Sequence, residues 1–320
     1  MTQKANTFDS YDYVNSIAED ISSVISNVTP HETPFYTRTP KTTASSTLHE
    51  FLTSSLRSSG TNAHIEGDET SAEARTQETR NNNRTQIFKN SVLISDTDEG
   101  LDNIGKTRRM AYELIQVARE QKLDIEKALF ANNAKVAGNA TTARELAGAP
   151  AWMITNVNFV SASSGANATG DGSDARTDSG APTAFSQAKF DDVMQSIWEN
   201  GGIPDTCYLS SFQMNKAIAG FAGNNNQRAN VVASDERVVN SLSVYLTPWG
   251  QVAFQPSREN RSRDVFILQD NMWEVATLRP TKNVALAKTG DSTQRQITTE
   301  LTLVCKNEKA SGMIADNTTS

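Results

Sequence analysis

Apolar positions recur along the first part of the chain with helical spacing. Val14, Ile17, Ile21, Val24, Ile25 and Val28 fall three or four apart, which predicts an amphipathic helix over 12–28 that ends by Pro30. The next stretch, TPHETPFYTRTP, is predicted to be extended, because Pro30, Pro34 and Pro40 each disfavour helical angles in the preceding residue. Residues 42–57 and 84–95 alternate as strands, and the segment from Ser58 to Asn83 between them is polar, with Ile65 as its one large apolar residue. Loops of that length are uncommon inside compact domains. The unit reads as a long two-stranded arm, made of those two strands, that projects from the body. The strongest helix spans 101–131, with Ile104, Ala111, Ile115, Ala118, Ile125 and Leu129 on one stripe and the i,i+4 pairs Arg109–Glu113 and Lys122–Glu126 on its surface.

The second half alternates between helices and strands. Residues 161–184 are of low complexity and read as a flexible surface loop. A helix follows at about 186–200, with Phe190, Val193, Met194, Ile197 and Trp198 inward, and a shorter one at 211–219. The remainder is strand-rich: TCYLS, SLSVYLT, a turn at Pro248–Gly250, QVAFQPS, RDVFIL, WEVATLRP, and the long pair within VALAKTGDSTQRQITTELTLVC. In the last strand Ile297, Thr299, Leu301 and Leu303 are expected inward, and Gln296, Thr298, Glu300 and Thr302 toward solvent.

Composition narrows the function classes. The chain has 320 residues, a net charge of −7 and 37% apolar residues, and Asn, Ser and Thr supply more than a quarter of it. That small acidic balance argues against a protein that coats nucleic acid by charge. No apolar run approaches the ~18 residues of a membrane span, and the N-terminus lacks the apolar core of a signal peptide. Cys207 and Cys305 are too few for a disulfide scaffold or a cysteine zinc site and read as core residues in a reducing compartment.

The sharpest motif is GLDNIGKT, Gly100–Thr107, which satisfies the phosphate-loop pattern G-x4-G-K-[ST] with Lys106 and Thr107 as phosphate and magnesium ligands. Asp96, Asp98, Glu99 and Asp102 crowd it with negative charge, no repeated βαβ pattern follows, and Asp270 in VFILQD sits one residue late for a second motif. An acidic helix start is the better reading. His31, His49 and His64 are scattered without metal-ligand spacing, and Asp171–Asp178 lacks the register of a calcium loop. These residues supply no catalytic group, metal site or cofactor site. What the pattern does show is an arm, a projecting hairpin and a long surface helix, parts that bury their exposed groups only against neighbours.

Several segments together resemble the major capsid proteins of tailed bacteriophages: ISNVTPHETPFYTRT, TLHEFLTSSL, NAHIEGDE, RRMAYELIQVAREQKLDIEKALFANN, GNATTARELAG, and LRPTKNVALAKTGDSTQRQITTELTLVCKNEKASGMI. The resemblance covers about 7–316. It implies an α+β chain of the Hong Kong 97-type capsid fold, with an N-terminal arm at 1–40, an extended loop at 41–96, a peripheral domain with its spine helix at 97–147, an axial domain at 148–275 and returning peripheral strands at 276–320. It implies a virion subunit, assembled in the host bacterial cytoplasm, that forms homo-oligomeric pentamers and hexamers of an icosahedral head around double-stranded DNA without sequence-specific binding. Portal, scaffold or decoration proteins would be further partners; a cofactor or a membrane would not. Within this reading Pro30, Pro34 and Phe35 fix the arm's path, His49, Glu50 and Phe51 lie on the extended loop, and Arg108 and Arg109 are candidates for inter-subunit pairing on the spine. An encapsulin-like compartment and a phosphate-loop nucleotide enzyme are the alternatives.

Overall fold

Burial on both faces marks the strands at the centre of the molecule. The computed structural model describes residues 32–57, 59–69, 72, 75–101, 108–160, 165–221 and 244–319; the helix expected at 12–28 lies outside them. The elements run α1 (Pro34–Arg38), β1 (Lys41–Thr43), β2 (Leu48–Thr53), β3 (Thr79–Arg84), β4 (Gln86–Ser95), α2 (Asp96–Gly100), α3 (Arg109–Phe130), β5 (Val157–Asn158), α4 (Gln187–Glu199), β6 (Thr206–Leu209), α5 (Ser211–Phe221), β7 (Val244–Thr247), β8 (Gly250–Pro256), β9 (Val265–Leu268), β10 (Trp273–Ala285), β11 (Ser292–Cys305) and β12 (Gly312–Ile314). A mixed six-stranded sheet has the order β5-β12-β9-β6-β8-β7. Its inner strands TCYL and VFIL are buried at every position, as strands covered on both faces must be. Helices α4 and α5 pack on this sheet.

A four-stranded sheet has the order β1-β10-β11-β4, with β1 parallel to β10 and the other pairs antiparallel. The long helix α3 lies on it. Gln121, 2% exposed, donates from Nε2 to the carbonyls of Phe88 (2.9 Å) and Ile297 (3.4 Å), so one buried amide fastens the helix across two strands. Only the C-terminal half of α3 is deeply buried, at Gln121, Ile125, Glu126, Leu129 and Phe130. Ile115, on the same apolar stripe, is 55% exposed.

The proline-rich segment departs from expectation. Pro34–Arg38 is a short helix and not extended chain. Proline is accommodated at the first helical position, where its missing N–H costs nothing. The free N–H groups of Phe35 and Tyr36 donate to the two carboxylate oxygens of Glu126, at 3.0 and 2.7 Å. A carboxylate from α3 therefore caps α1, and Glu126 is fully buried, in place of the solvated pair with Lys122 that the sequence pattern suggests. Phe35 inserts among Phe130, Tyr208 and Trp273, with ring centroids 4.9–6.3 Å away. Arg38 pairs with Asp270 at 3.1 Å. The last residues before β1 thus belong to the core of the body.

Three further expectations are corrected. Trp198 is 57% exposed, because α4 buries only the stripe of Phe190, Val193, Met194 and Ile197. Glu300 and Thr302 are buried, since β11 is covered on both faces over its second half. The described part of the low-complexity segment is tied down. Arg176 is fully buried there and bonds both oxygens of Asp316, at 2.9 and 3.1 Å. Arg261 and Arg263 join Asp178, Asp264 and Asp316 to complete a network of three arginines and three aspartates. Gly172 (φ 73°) lies so close to Trp152 that a Cβ there would stand 2.8 Å from its ring. Composition hides such a segment, because one arginine does the anchoring.

Two predictions follow from these buried charges. Burial pushes the Glu126 carboxyl up to about 7, against the opposing pull of the two N–H groups. The folded chain then holds this proton more tightly than the unfolded chain does, so Glu126 makes the fold lose stability as pH rises from about 4.5 to about 7. Glu126→Gln should remove that slope. The stability advantage of the native chain over the variant should shrink by on the order of 3 kcal/mol across the window, read from urea midpoints; a pH-independent difference would contradict the assignment. Arg176→Leu removes both guanidinium bonds from the fully buried Asp316, leaving it only the Ser179 N–H and Arg263 at 3.3 Å, and should cost about 3–5 kcal/mol. Arg261→Leu, at a guanidinium 24% exposed, should cost clearly less in the same assay.

Candidate assembly interface

The projecting arm is built by β2 and β3, paired antiparallel with His49 opposite Asn83, Glu50 opposite Asn82 and Phe51 opposite Asn81. This corrects the sequence-based pairing. The second arm strand is TRNNNR, inside the segment read as loop, and residues 86–95 instead pair with β11 in the four-stranded sheet. TRNNNR has no apolar residue, so alternation cannot reveal it. Its pairing rests on backbone hydrogen bonds and on how it is rooted.

Asn83 forms the root. It is fully buried, donates from Nδ2 to the carbonyls of Leu303 (2.7 Å) and Ala147 (3.3 Å), and accepts the N–H of Ala147 at 2.9 Å. Beside it, Glu300 accepts from the Thr85 hydroxyl (2.7 Å), from Arg279 (2.6 Å) and from Arg144, whose Nε also reaches the Thr85 carbonyl at 2.6 Å. Burial alone would raise the Glu300 pKa; the Thr85 hydroxyl, then Arg279 and Arg144, outweigh it and hold the carboxyl below the ordinary glutamate range. Phe51 closes the base against Trp152, with centroids 5.7 Å apart. Neither Asn83 nor Glu300 is marked by spacing or by motif.

Beyond this root the described residues of 54–78 are exposed. The segment reverses at Glu66 and Gly67 (φ 84°), where Asp68 N–H bonds the Ile65 carbonyl at 3.1 Å. Leu52, Leu56 and Ile65 are 61%, 96% and 84% exposed. Ile87, Leu93 and Val284 share the face of the four-stranded sheet that points away from α3, and they too are exposed. These are large apolar groups left exposed among the described residues.

The residues singled out from sequence divide clearly. Pro30 lies outside the described residues. Pro34 opens α1, and Phe35 is fully buried in its own chain, so it anchors the arm and offers no contact surface. His49 and Phe51 are half-buried on the arm; burial lowers the His49 pKa, with Glu274 opposing. Glu50 is exposed and meets Arg80 across the hairpin at 3.7 Å. Arg108 is exposed just before α3. Arg109 pairs with Asp98 of its own chain at 3.0 Å.

The phosphate-loop match loses its setting. Residues 102–107 lie outside the described residues, but the strand before them is an antiparallel edge strand, where a nucleotide-binding loop leaves a parallel one. Asp98 and Glu99 are engaged with Arg109 and with the Met110 N–H, at the start of α3. Cys207 and Cys305 are buried and unpaired. Among the described residues no three His, Cys, Asp or Glu side chains gather as a metal site, and no helix is long and apolar enough to cross a membrane.

Comparison with known proteins agrees with this geometry. The family model for the SU10 major capsid protein matches residues 1–318. The major capsid protein of Escherichia phage Phieco32 is 25% identical over 342 residues, covering 96% of each chain. Among solved structures, the capsid of cyanophage A-1(L) aligns with a TM-score of 0.68 at 11% identity, over 98% of this chain and 100% of that one. The capsid of a native GTA particle aligns at 0.62 and 10% identity, over 98% and 100%. The α+β chain has the Hong Kong 97-type capsid fold of these structures, and it belongs to the SU10 major capsid protein family.

Proposed function

We propose that this chain forms pentamers and hexamers that close into an icosahedral head around double-stranded DNA, with the β2–β3 arm lying on a neighbouring subunit. The observation that carries the reading is the contrast within the arm: its root is buried and fully bonded, and its tip leaves Leu56 and Ile65 in water. In this proposal residues 1–40 are the N-terminal arm, 41–96 the extended loop, 97–147 and 276–320 the peripheral domain, and 148–275 the axial domain. Arg108, exposed ahead of the spine helix, is the cation left for a contact between subunits. The net charge of −7 suits an inner wall that must not adhere to packed DNA, because like charges repel. Assembly in the host bacterial cytoplasm, with portal, scaffold or decoration proteins as further partners, completes the proposal.

The purified protein should form closed shells under the electron microscope. Leu56→Asp combined with Ile65→Asp should leave circular dichroism and thermal melting unchanged, because both side chains are already exposed. The yield of closed shells should fall by about tenfold or more, as charges are forced into the contact between subunits. Closed shells at normal yield from this variant would count against the role given to the arm.

A further inference from the structure

The start of α3 borders a hollow of about 360 Å³ between that helix and the pair β4–β11. Ile94, Met110, Ala111 and Leu114 give it apolar walls, and Arg108 and Arg295 line it as well. The acidic residues around it are already engaged. Asp98 pairs with Arg109, Glu99 accepts the Met110 N–H, and Asp96 takes Lys288 and the Thr293 hydroxyl. Arg108 and Arg295 form no ion pair among the described residues. Two unpaired guanidinium groups beside apolar walls suit an apolar side chain flanked by carboxylates.

The tip of the arm carries that chemistry. The chain reverses at Glu66 and Gly67, and Ile65, just before the turn, is 84% exposed. Glu66 and Glu69 are exposed and form no ion pair among the described residues, whereas Asp68 stands 3.6 Å from His64. Residues 59–69 contain no lysine or arginine. The tip and the hollow also belong to opposite ends of β4. The arm enters that strand at Gln86, with only Thr85 between β3 and β4, and it is rooted there by Asn83 and Glu300. The hollow opens at Ile94, roughly 27 Å further along the strand. A tip held away from its own hollow meets the same hollow on another copy.

We propose that the arm tip of one subunit seats Ile65 in this hollow of a second copy of the chain, with Glu66 and Glu69 against Arg108 and Arg295. The inference rests on the reading of the arm as a contact on a neighbouring subunit, and it names the receiving site.

Full-length protein carrying Ile65→Cys and Ala111→Cys, assembled and then mildly oxidised, tests it. Both positions are exposed, and the native Cys207 and Cys305 are buried and do not compete. The expected product is a ladder of disulfide-linked subunits on a non-reducing gel. Its yield should exceed by about fivefold that of Ile65→Cys with Val244→Cys, whose second position is exposed on the six-stranded sheet. A shifted monomer band would seat the tip in its own chain. That result, equal yields from the two pairs, or closed shells without the link would each overturn the proposal.

A charge exchange supplies the second measurement. Arg108→Glu with Arg295→Glu should lower the yield of closed shells by about fivefold and leave circular dichroism unchanged. Adding Glu66→Lys and Glu69→Lys to the same chain should restore the yield to within about twofold. An unchanged yield in the first variant, or no recovery in the second, would overturn the seat. Closed shells that form normally without the link reject this seat alone, whereas normal closure of the Leu56→Asp, Ile65→Asp variant rejects the arm's role itself.

Discussion

One carboxylate sets the relation between the parts of this molecule. Glu126 sits at the buried end of α3 and accepts both leading N–H groups of α1. An exposed helix of five residues would not persist by itself, since helix nucleation is unfavourable and so few residues recover little of its cost. Held by Glu126, α1 places Phe35 between Phe130 of the long helix, Tyr208 of the six-stranded sheet and Trp273 of the four-stranded sheet. Arg38, one turn on, reaches Asp270, which also accepts from Tyr208 and Thr206. The two sheets are therefore joined through a segment of the chain that precedes both of them. Burying a charged carboxylate is costly, and the raised Glu126 pKa is the visible sign of that cost.

The same logic governs the arm. A two-stranded hairpin is marginal in water, and β3 contributes no apolar side chain to help it. Its fixity comes from Asn83 and Glu300, whose bonds reach β11, the 144–147 segment and Arg279. Rigid at the base and unsupported at the tip, the arm presents Leu56 and Ile65 outward without folding them onto its own body.

The legible parts of the chain were those where periodicity and burial coincide. The C-terminal half of α3, α4, α5 and the strands β6–β9 of the six-stranded sheet could be read because most of their apolar positions are the ones they bury; the short β5 and β12 carry too few residues for a pattern. The hidden parts share one cause: polar side chains that act through specific partners far along the chain. TRNNNR looks like loop until Asn83 is seen bonded 220 residues away. Glu300 looks like a solvated alternate position until its two arginines are in place. Pro34–Arg38 looks extended because proline statistics carry no knowledge of a carboxylate 91 residues on. The resemblance of several segments to phage capsid proteins supplied the architecture that pattern alone left open, and it did not locate these anchors.

Magnitudes explain why such a subunit is suited to a closed assembly and poorly suited to a simple pair. Full burial of a leucine or isoleucine side chain contributes about 1.5–3 kcal/mol. Leu56 and Ile65 together therefore offer about 3–6 kcal/mol to a neighbour, before the loss of side-chain freedom. Association of two bodies costs about 4–15 kcal/mol in translational and rotational freedom. One arm on one neighbour would barely hold. In the shell proposed above each subunit would both give an arm and receive one, and the exposed sheet face with Ile87, Leu93 and Val284 would offer a separate surface. The freedom of a subunit is lost once, whereas its contacts are made several times over. Individually weak contacts let a misplaced subunit leave, and closure makes the completed set hard to undo.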